Sequence, residues 1–263
     1  MLRLIRTINP SELKIKSILI SQPKPSTEKS PYFEIEEKHK VKLYFKQFIQ
    51  IEGVSTKEFR TSKVGILEHS AIIFTSRTSI DHFFHIAEQM RVQVPDDMKY
   101  FCTSESIAVY LQKYIVYRKR KIFFGQKRFI DLMDVLCKHK TEKFLIPVAD
   151  IHKEEISKLL NSNKINHTKA VFYRTVSSDL ADIEIDNFDV LVFYSPSGIV
   201  SLYNNFPDFA QNATKIATFG PNTAKAAKDA GLKVDLKVPS PDFPSMTMAL
   251  DHFITEQGKR NGI

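Results

Sequence analysis

Tryptophan is absent from the 263 residues, and only eight glycines and two cysteines are present. Cys102 and Cys137 can form at most one bridge and fit no metal-ligand spacing, which excludes a disulfide framework and argues against a zinc site; no metal is expected. Eight glycines and twelve prolines are too few for a collagen-like or low-complexity chain. No stretch approaches the roughly 20 consecutive apolar residues of a membrane-spanning helix, so no membrane association is expected. The opening MLRLIRTINPSELKIKS lacks the apolar core and small-residue cleavage site of a secretory signal, which makes the cytoplasm the expected location. Also missing are G-x-G-x-x-G, G-x-x-x-x-G-K-[ST], H-E-x-x-H and a nucleophile elbow. Nucleotide cofactors lose support with them, and no cofactor is expected.

What is present is an ordinary globular composition, 43% hydrophobic and 26% charged, with a net charge of +8. Between Lys113 and Lys143 ten Lys and Arg face three Asp and Glu, a local net of +7. Such a concentration attracts anionic partners, or it is a solvated basic face; both readings stand. Nucleic acid ranks last among partners, because Arg118-Lys119-Arg120-Lys121 has no interleaved aromatic motif and reads as a solvated edge ahead of Ile122-Phe123-Phe124.

Short apolar runs alternate with segments of helical period, the pattern of βα units around parallel strands. Strands are predicted at 17–20, 41–51, 71–74, 100–102, 144–147, 169–176, 190–194 and 215–219. Ile80, Phe83, Phe84 and Ala87 mark one helix face behind Ser79, and Ile107, Leu111, Tyr114 and Ile115 another. Ile156, Leu159 and Leu160 follow Asp150 as a cap, Ala224, Ala227 and Ala230 close at Gly231, and Pro244 opens a helix with Met246, Leu250, Phe253 and Ile254.

The chain also repeats itself. Ile72-Ile73-Phe74-Thr75-Ser76-Arg77-Thr78-Ser79-Ile80 matches Leu191-Val192-Phe193-Tyr194-Ser195-Pro196-Ser197-Gly198-Ile199 in pattern, 119 residues apart, and Cys102-Thr103-Ser104-Glu105-Ser106 matches Phe219-Gly220-Pro221-Asn222-Thr223, 117 apart. A third unit at 144–175 has its counterpart at the start of the chain, near 18–41. The economical solution is two similar parallel-sheet α/β domains, Rossmann-like or flavodoxin-like, with one inserted into the other. The expected divisions are 1–52 plus 180–263, and 57–176, joined by a two-stranded linker near 52–57 and 176–183. A ligand cleft between them is expected.

Four strand-to-helix turns then carry hydroxyls: Thr75-Ser76-Arg77-Thr78, Ser104-Glu105-Ser106, Ser195-Pro196-Ser197-Gly198 and Gly220-Pro221-Asn222-Thr223. At the carboxyl ends of parallel strands such turns offer helix N-termini to carboxylates or phosphates, although Ser, Thr and Asn there also serve simply as caps. His82 and His85 lie three apart without a third ligand, and read as packing or surface histidines. Tyr173, near the end of a strand, is either a neutral acid able to give a proton to a leaving hydroxyl or a half-buried strand tyrosine.

These residues together resemble the uroporphyrinogen-III synthase family. The likeness is carried by Ile73-Phe74-Thr75-Ser76, Leu145-Ile146-Pro147 followed by Lys153-Glu154, Val171-Phe172-Tyr173-Arg174-Thr175, Phe193-Tyr194-Ser195-Pro196-Ser197-Gly198, Phe219-Gly220-Pro221-Asn222-Thr223-Ala224 and Ala230-Gly231-Leu232, in the family's order across 16–256. The resemblance implies a cofactor-independent hydro-lyase. It cyclises hydroxymethylbilane, a tetrapyrrole with eight carboxylates, to uroporphyrinogen III with inversion of ring D and loss of water. It further implies a small-molecule substrate, a monomer, and tetrapyrrole and heme biosynthesis. Tyr173 becomes the proton donor; Thr75, Ser76, Ser104, Ser106, Lys153, Ser195, Ser197, Gly198, Gly220, Asn222 and Thr223 become substrate contacts. Two positions depart from the family pattern: Ser21-Gln22-Pro23 replaces a Thr-Arg-Pro-like triplet, and Thr103 replaces a glycine. The alternative they leave open is a non-catalytic member binding a tetrapyrrole or another polyanion.

Overall fold

The structure, a computed structural model, describes residues 14–152 and 154–260. Its elements in chain order are β1 (Ser17–Ile20), α1 (Pro31–His39), β2 (Lys42–Phe45), β3 (Ile49–Gly53), α2 (Thr56–Thr61), β4 (Ala71–Phe74), α3 (Arg77–Gln89), β5 (Lys99–Cys102), α4 (Glu105–Tyr110) and β6 (Ile122–Phe124). There follow α5 (Met133–Lys138), β7 (Phe144–Ala149), α6 (Glu155–Ser162), β8 (His167–Ser177), β9 (Val190–Phe193), α7 (Pro196–Asn205), β10 (Lys215–Phe219), α8 (Pro221–Asp229), β11 (Val234–Val238) and α9 (Met246–Arg260). The described chain up to Gln50 and from Val176 onward makes one compact unit, and Ile51–Thr175 makes the other.

In the first unit the strand order is β2-β1-β9-β10-β11, and every pair is parallel. Strands covered on both faces read as continuous apolar runs, which is why Ile18-Leu19-Ile20 and Val190–Phe193 show no polar alternation. Period two then sorts their side chains. Ile18, Ile20, Val190 and Val192 pack with Ile35 of α1 and Met246, Leu250 and Ile254 of α9, whereas Leu19, Leu191 and Phe193 pack with Ile199 and Leu202 of α7 and Ala227 of α8. Each large side chain fully withdrawn from water contributes roughly 1.5–3 kcal/mol before the entropy of ordering is counted.

The second unit repeats the logic. Its sheet order is β3-β8-β7-β4-β5-β6, with β4 through β8 parallel. Ile72, Phe74, Tyr100, Cys102 and Phe172 face α3 through Ile80, Phe83 and Ile86. Ala71, Ile73, Phe101, Phe144 and Ile146 face Leu136 of α5 and Leu160 of α6. Set side by side, β2-β1-β9-β10-β11 and β8-β7-β4-β5-β6 are the same five-strand arrangement met by the chain at different starting points. The sequence repeat between 72–80 and 191–199 is the trace of that equivalence, since β4 and β9 hold the same central place.

Several elements differ from the sequence expectation. The predicted strand 41–51 is split into β2 and β3, because Phe48 is buried against Phe193 and its carbonyl accepts from Ser178 N and Ser201 Oγ rather than from a neighbouring strand. α6 begins at Glu155 with Glu154 as its cap, so Asp150 does not cap it; Asp150 Oδ1 accepts instead from Thr175 N at 3.3 Å. The last helix starts at Met246, two residues beyond Pro244. β11, α2 and α5 have no clear sequence signal. β11 is an edge strand broken by Asp235 and Lys237, and α2 and α5 are only six residues each.

Candidate functional site

In each unit the turns of interest lie at the carboxyl ends of the central strands. The first unit reverses its strand order between β1 and β9, which is where parallel sheets leave a crevice for ligands. Ser21 follows β1 and donates its N–H to Val192 O at 2.9 Å, so the two strands end level. A Cβ on buried Gly198 would lie 3.4 Å from Phe193, 3.7 Å from Ser195 Oγ and 3.8 Å from Ser21 Oγ, so glycine lets α7 begin close to the β1 turn. Ser195 Oγ accepts from Gly198 N at 3.2 Å and is a cap; Ser197, one residue before Gly198 in the helix, is half-buried and makes no cap.

The β10 turn is different in kind. Gly220 has φ +89° and ψ 146°, a conformation only glycine holds without strain, and α8 behind it has Pro221 at its start and no side-chain cap. Asn222 is exposed, while Thr223 is 2% exposed and its hydroxyl makes no hydrogen bond among the described residues. An uncapped nine-residue helix presents N–H groups and the positive end of its dipole, the chemistry that holds a carboxylate.

In the second unit Ser76 and Ser79 close a reciprocal capping box. Ser79 N donates to Ser76 Oγ at 3.0 Å and Ser76 N to Ser79 Oγ at 3.2 Å. Thr75 precedes it, half-buried. Its carbonyl accepts from buried Thr103 Oγ1 at 3.4 Å, so the residue that stands where a glycine was expected ties the β5 turn to the β4 turn. Ser104 and Ser106 share a 3.0 Å hydrogen bond, and neither side chain caps α4. Register places Ala149 opposite Tyr173, beyond the level of Phe74, so Tyr173 stands at the height of these turns. Its half-buried ring stacks on His82 of α3, with centroids 5.2 Å apart. Burial, followed by neighbouring His85, pushes the His82 imidazole below its ordinary pKa, against a smaller opposing pull from Asp81.

The structure therefore brings Ser195, Ser197, Gly198, Gly220, Asn222 and Thr223 to one edge of the first sheet, and Thr75, Ser76, Ser104, Ser106 and Tyr173 to the matching edge of the second. Lys153 lies outside the described residues. For Ser76 and Ser195 the hydroxyl is engaged in capping, whereas backbone N–H groups at α8 and α4 have no such side-chain partner.

Two features lie beyond the sequence expectation. Arg77, the exposed first residue of α3, rests 5.2 Å from the Tyr110 ring centre and supplies a cation beside the β4 turn. Tyr194 hydrogen-bonds Tyr32 through the two hydroxyls and stacks on Phe219 at 5.5 Å, directly ahead of Ser195. Burial raises the pKa of both phenols, so both stay protonated, and one donates to the other. The signal for Tyr194 was its place in the repeat, aligned with Thr75. The first part of the basic stretch does not join these turns, because residues 113–121 link the far end of α4 to the start of β6.

Among the described residues there is no cluster of three or more His, Cys, Asp or Glu able to hold a metal ion, and no helix long and apolar enough to cross a membrane. Both cysteines are free, and burial pushes the Cys102 thiol up to about 12.

Comparison with known proteins gives a consistent picture. A family model described as uroporphyrinogen-III synthase HemD matches residues 44–248. Among solved structures, uroporphyrinogen-III synthetase from Helicobacter pylori 26695 is similar at 14% identity and a TM-score of 0.55, over 92% of this chain and 100% of that one. A mutant uroporphyrinogen III synthase from Thermus thermophilus shares 12% identity at a TM-score of 0.49, over 93% and 99% of the two chains. No curated protein matches the sequence. The Helicobacter likeness supports the α/β fold, and the family match spans well over half of the chain. The chain belongs to the uroporphyrinogen-III synthase HemD family.

Proposed function

We propose that this chain closes hydroxymethylbilane to uroporphyrinogen III without a cofactor, as a cytoplasmic monomer, and that the carboxyl-end turns of both units hold the substrate carboxylates. The observation that supports this most directly is the α8 turn, where the uncapped helix start behind Gly220 presents the Asn222 and Thr223 N–H groups beside the Thr223 hydroxyl, which has no partner among the described residues. Arg77 adds a cation at the second unit's turns.

Tyr173 is the proposed proton donor. The hydroxymethyl C–O bond breaks as the oxygen takes the phenol proton and leaves as water, and an N-protonated azafulvenium cation and the phenolate remain. Ring D attacks the cation through its own substituted carbon to give a spiro intermediate, which fragments and recloses with ring D inverted; the last proton lost from carbon balances the one given. The protein's part is to fold the substrate so that this attack outruns direct closure. Product analysis with freshly made hydroxymethylbilane tests the proposal. Uroporphyrinogen III is expected as the main isomer, and a mixture dominated by the type I isomer, which forms spontaneously, would overturn catalysis.

A further inference from the structure

The second unit holds a cavity of about 740 Å³ that the proposed reaction does not use. It is lined by residues that come just before β5 and β6 or at their first positions, among them Met98, Tyr100 and Ile122, and therefore lies at the amino ends of these strands. The candidate turns are at the carboxyl ends. Its volume falls within the roughly 300–1,000 Å³ typical of small-molecule sites.

One wall is aromatic and preordered, since Phe84 and Tyr114 stack at 4.5 Å with planes 5° apart. Val92, Val94, Met98 and Ile115 continue the apolar lining. Into this setting comes a polar group without a partner. Tyr100 is only 4% exposed, yet its hydroxyl makes no hydrogen bond among the described residues. Among the described residues only Ser157 Oγ is a fully buried side-chain polar atom without a partner, so the Tyr100 oxygen is not sealed from solvent and is free to donate to a ligand acceptor in the cavity. Burial, and then the nearby Asp96 charge, raise the pKa of this phenol, so it keeps its O–H to donate at neutral pH.

The charges at the cavity are Lys113, Arg118 and Lys121 against Glu88 and Asp96. Lys113 is paired with Asp81 at 3.0 Å and Lys121 donates to the Asp96 carbonyl, whereas Arg118 is 3.8 Å from the Asp96 carboxylate, too long for a hydrogen bond. Three cations and two carboxylates thus line the chamber, and Arg118, whose ion pair with Asp96 is the longest, is the cation best placed to turn to a ligand, in a strongly basic stretch of sequence.

We infer that this cavity is a second ligand site, taking an amphipathic carboxylate whose apolar body lies along Phe84 and Tyr114 and whose acceptor oxygen meets the Tyr100 hydroxyl and the Arg118 guanidinium. Decanoate is the probe, with decanol as its uncharged counterpart, titrated into the full-length chain and followed by methyl NMR. Saturable shifts are expected at Val92, Val94 and Ile115 and none at Ile199 in the first unit. Tyr100→Phe should weaken binding about five- to tenfold, and decanol should bind at least tenfold more weakly than decanoate. The inference is overturned if the folded protein shows no saturable shifts, if Tyr100→Phe binds as the parent does, or if decanol binds equally well. Should Tyr100→Phe not fold, Val92→Trp fills the chamber from a half-exposed position, and unchanged decanoate binding by that variant overturns the inference as well.

Discussion

The Tyr173 ring lies over the His82 imidazole, centroids 5.2 Å apart and planes 20° from parallel, and Gly53 leaves the histidine room to be there. A Cβ at position 53 would come within 2.9 Å of His82 Nδ1. Among the described residues the phenol is thus held by ring packing and by no hydrogen bond to its hydroxyl, which separates its position from its acidity. Tyr173→Phe keeps the stack and removes the proton. Single-turnover conversion of hydroxymethylbilane should slow by roughly ten- to a hundredfold, the weak end of general-acid effects, because substrate folding carries part of the rate. An unchanged rate would remove Tyr173 from the chemistry and leave the fold account intact.

His82 and His139 both have pKa values below the ordinary histidine value, burial being the first cause for each; His85 adds to it at His82 and Lys99 at His139. The unfolded chain therefore binds more protons than the folded one as pH falls through about 6.5. Stability from these two sites is complete above that value and declines below it until the folded pKa values are reached. Urea midpoints measured between pH 7.5 and 5 should fall, and His82→Phe should flatten the slope. The carboxylates Asp81 and Asp251, held low partly by hydrogen bonds from their partners, act in a separate window below about 3.8. A slope unchanged by His82→Phe would count against a buried, neutral His82.

Glycine to alanine should have opposite signs at two positions. Gly220, at φ +89° and ψ 146°, occupies a region closed to L side chains, and Gly220→Ala should cost about 1–3 kcal/mol. Gly258 lies in α9, and a methyl group there would meet no atom within 4 Å, so Gly258→Ala should stabilise by about 0.5–1 kcal/mol through the chain entropy removed. Denaturant titration of the pair checks both, and the same sign for both would contradict the backbone assignment at Gly220.

How much was legible in the sequence follows from the same physics. The apolar runs at 17–20, 71–74, 144–147 and 190–194 declared themselves because parallel strands covered on both faces have no polar alternation to obscure them. The repeat declared the equivalence of β4 and β9 because the turns after them need hydroxyls or glycine at fixed offsets. What was hidden had weak local signals. β11 alternates charge with aliphatics, and the Phe48 break between β2 and β3 depends on Ser178 and Ser201, more than a hundred residues away. At the site, residue types predicted which turns matter but not what each hydroxyl does. Ser76 and Ser195 are committed to caps, a fact set by a three-residue spacing to Ser79 and Gly198, whereas Thr223 is not. The Tyr32–Tyr194 contact joins residues 162 apart and had no local trace at all.

Thr223 offers the cleanest separation of structure from function. The residue is 2% exposed, yet no described residue bonds to its hydroxyl, so Thr223→Val conserves shape and sacrifices no internal hydrogen bond. Thermal unfolding of the variant should occur at about the parent temperature, because a methyl group of the same shape replaces a hydroxyl that makes no internal hydrogen bond. If the α8 turn binds a substrate carboxylate, the same variant should raise KM about tenfold or more, the scale of a hydrogen bond to a charged group, and Thr223→Ser should recover most of it. Destabilisation by Thr223→Val with KM unchanged would make Thr223 a structural residue and take the α8 turn out of substrate recognition.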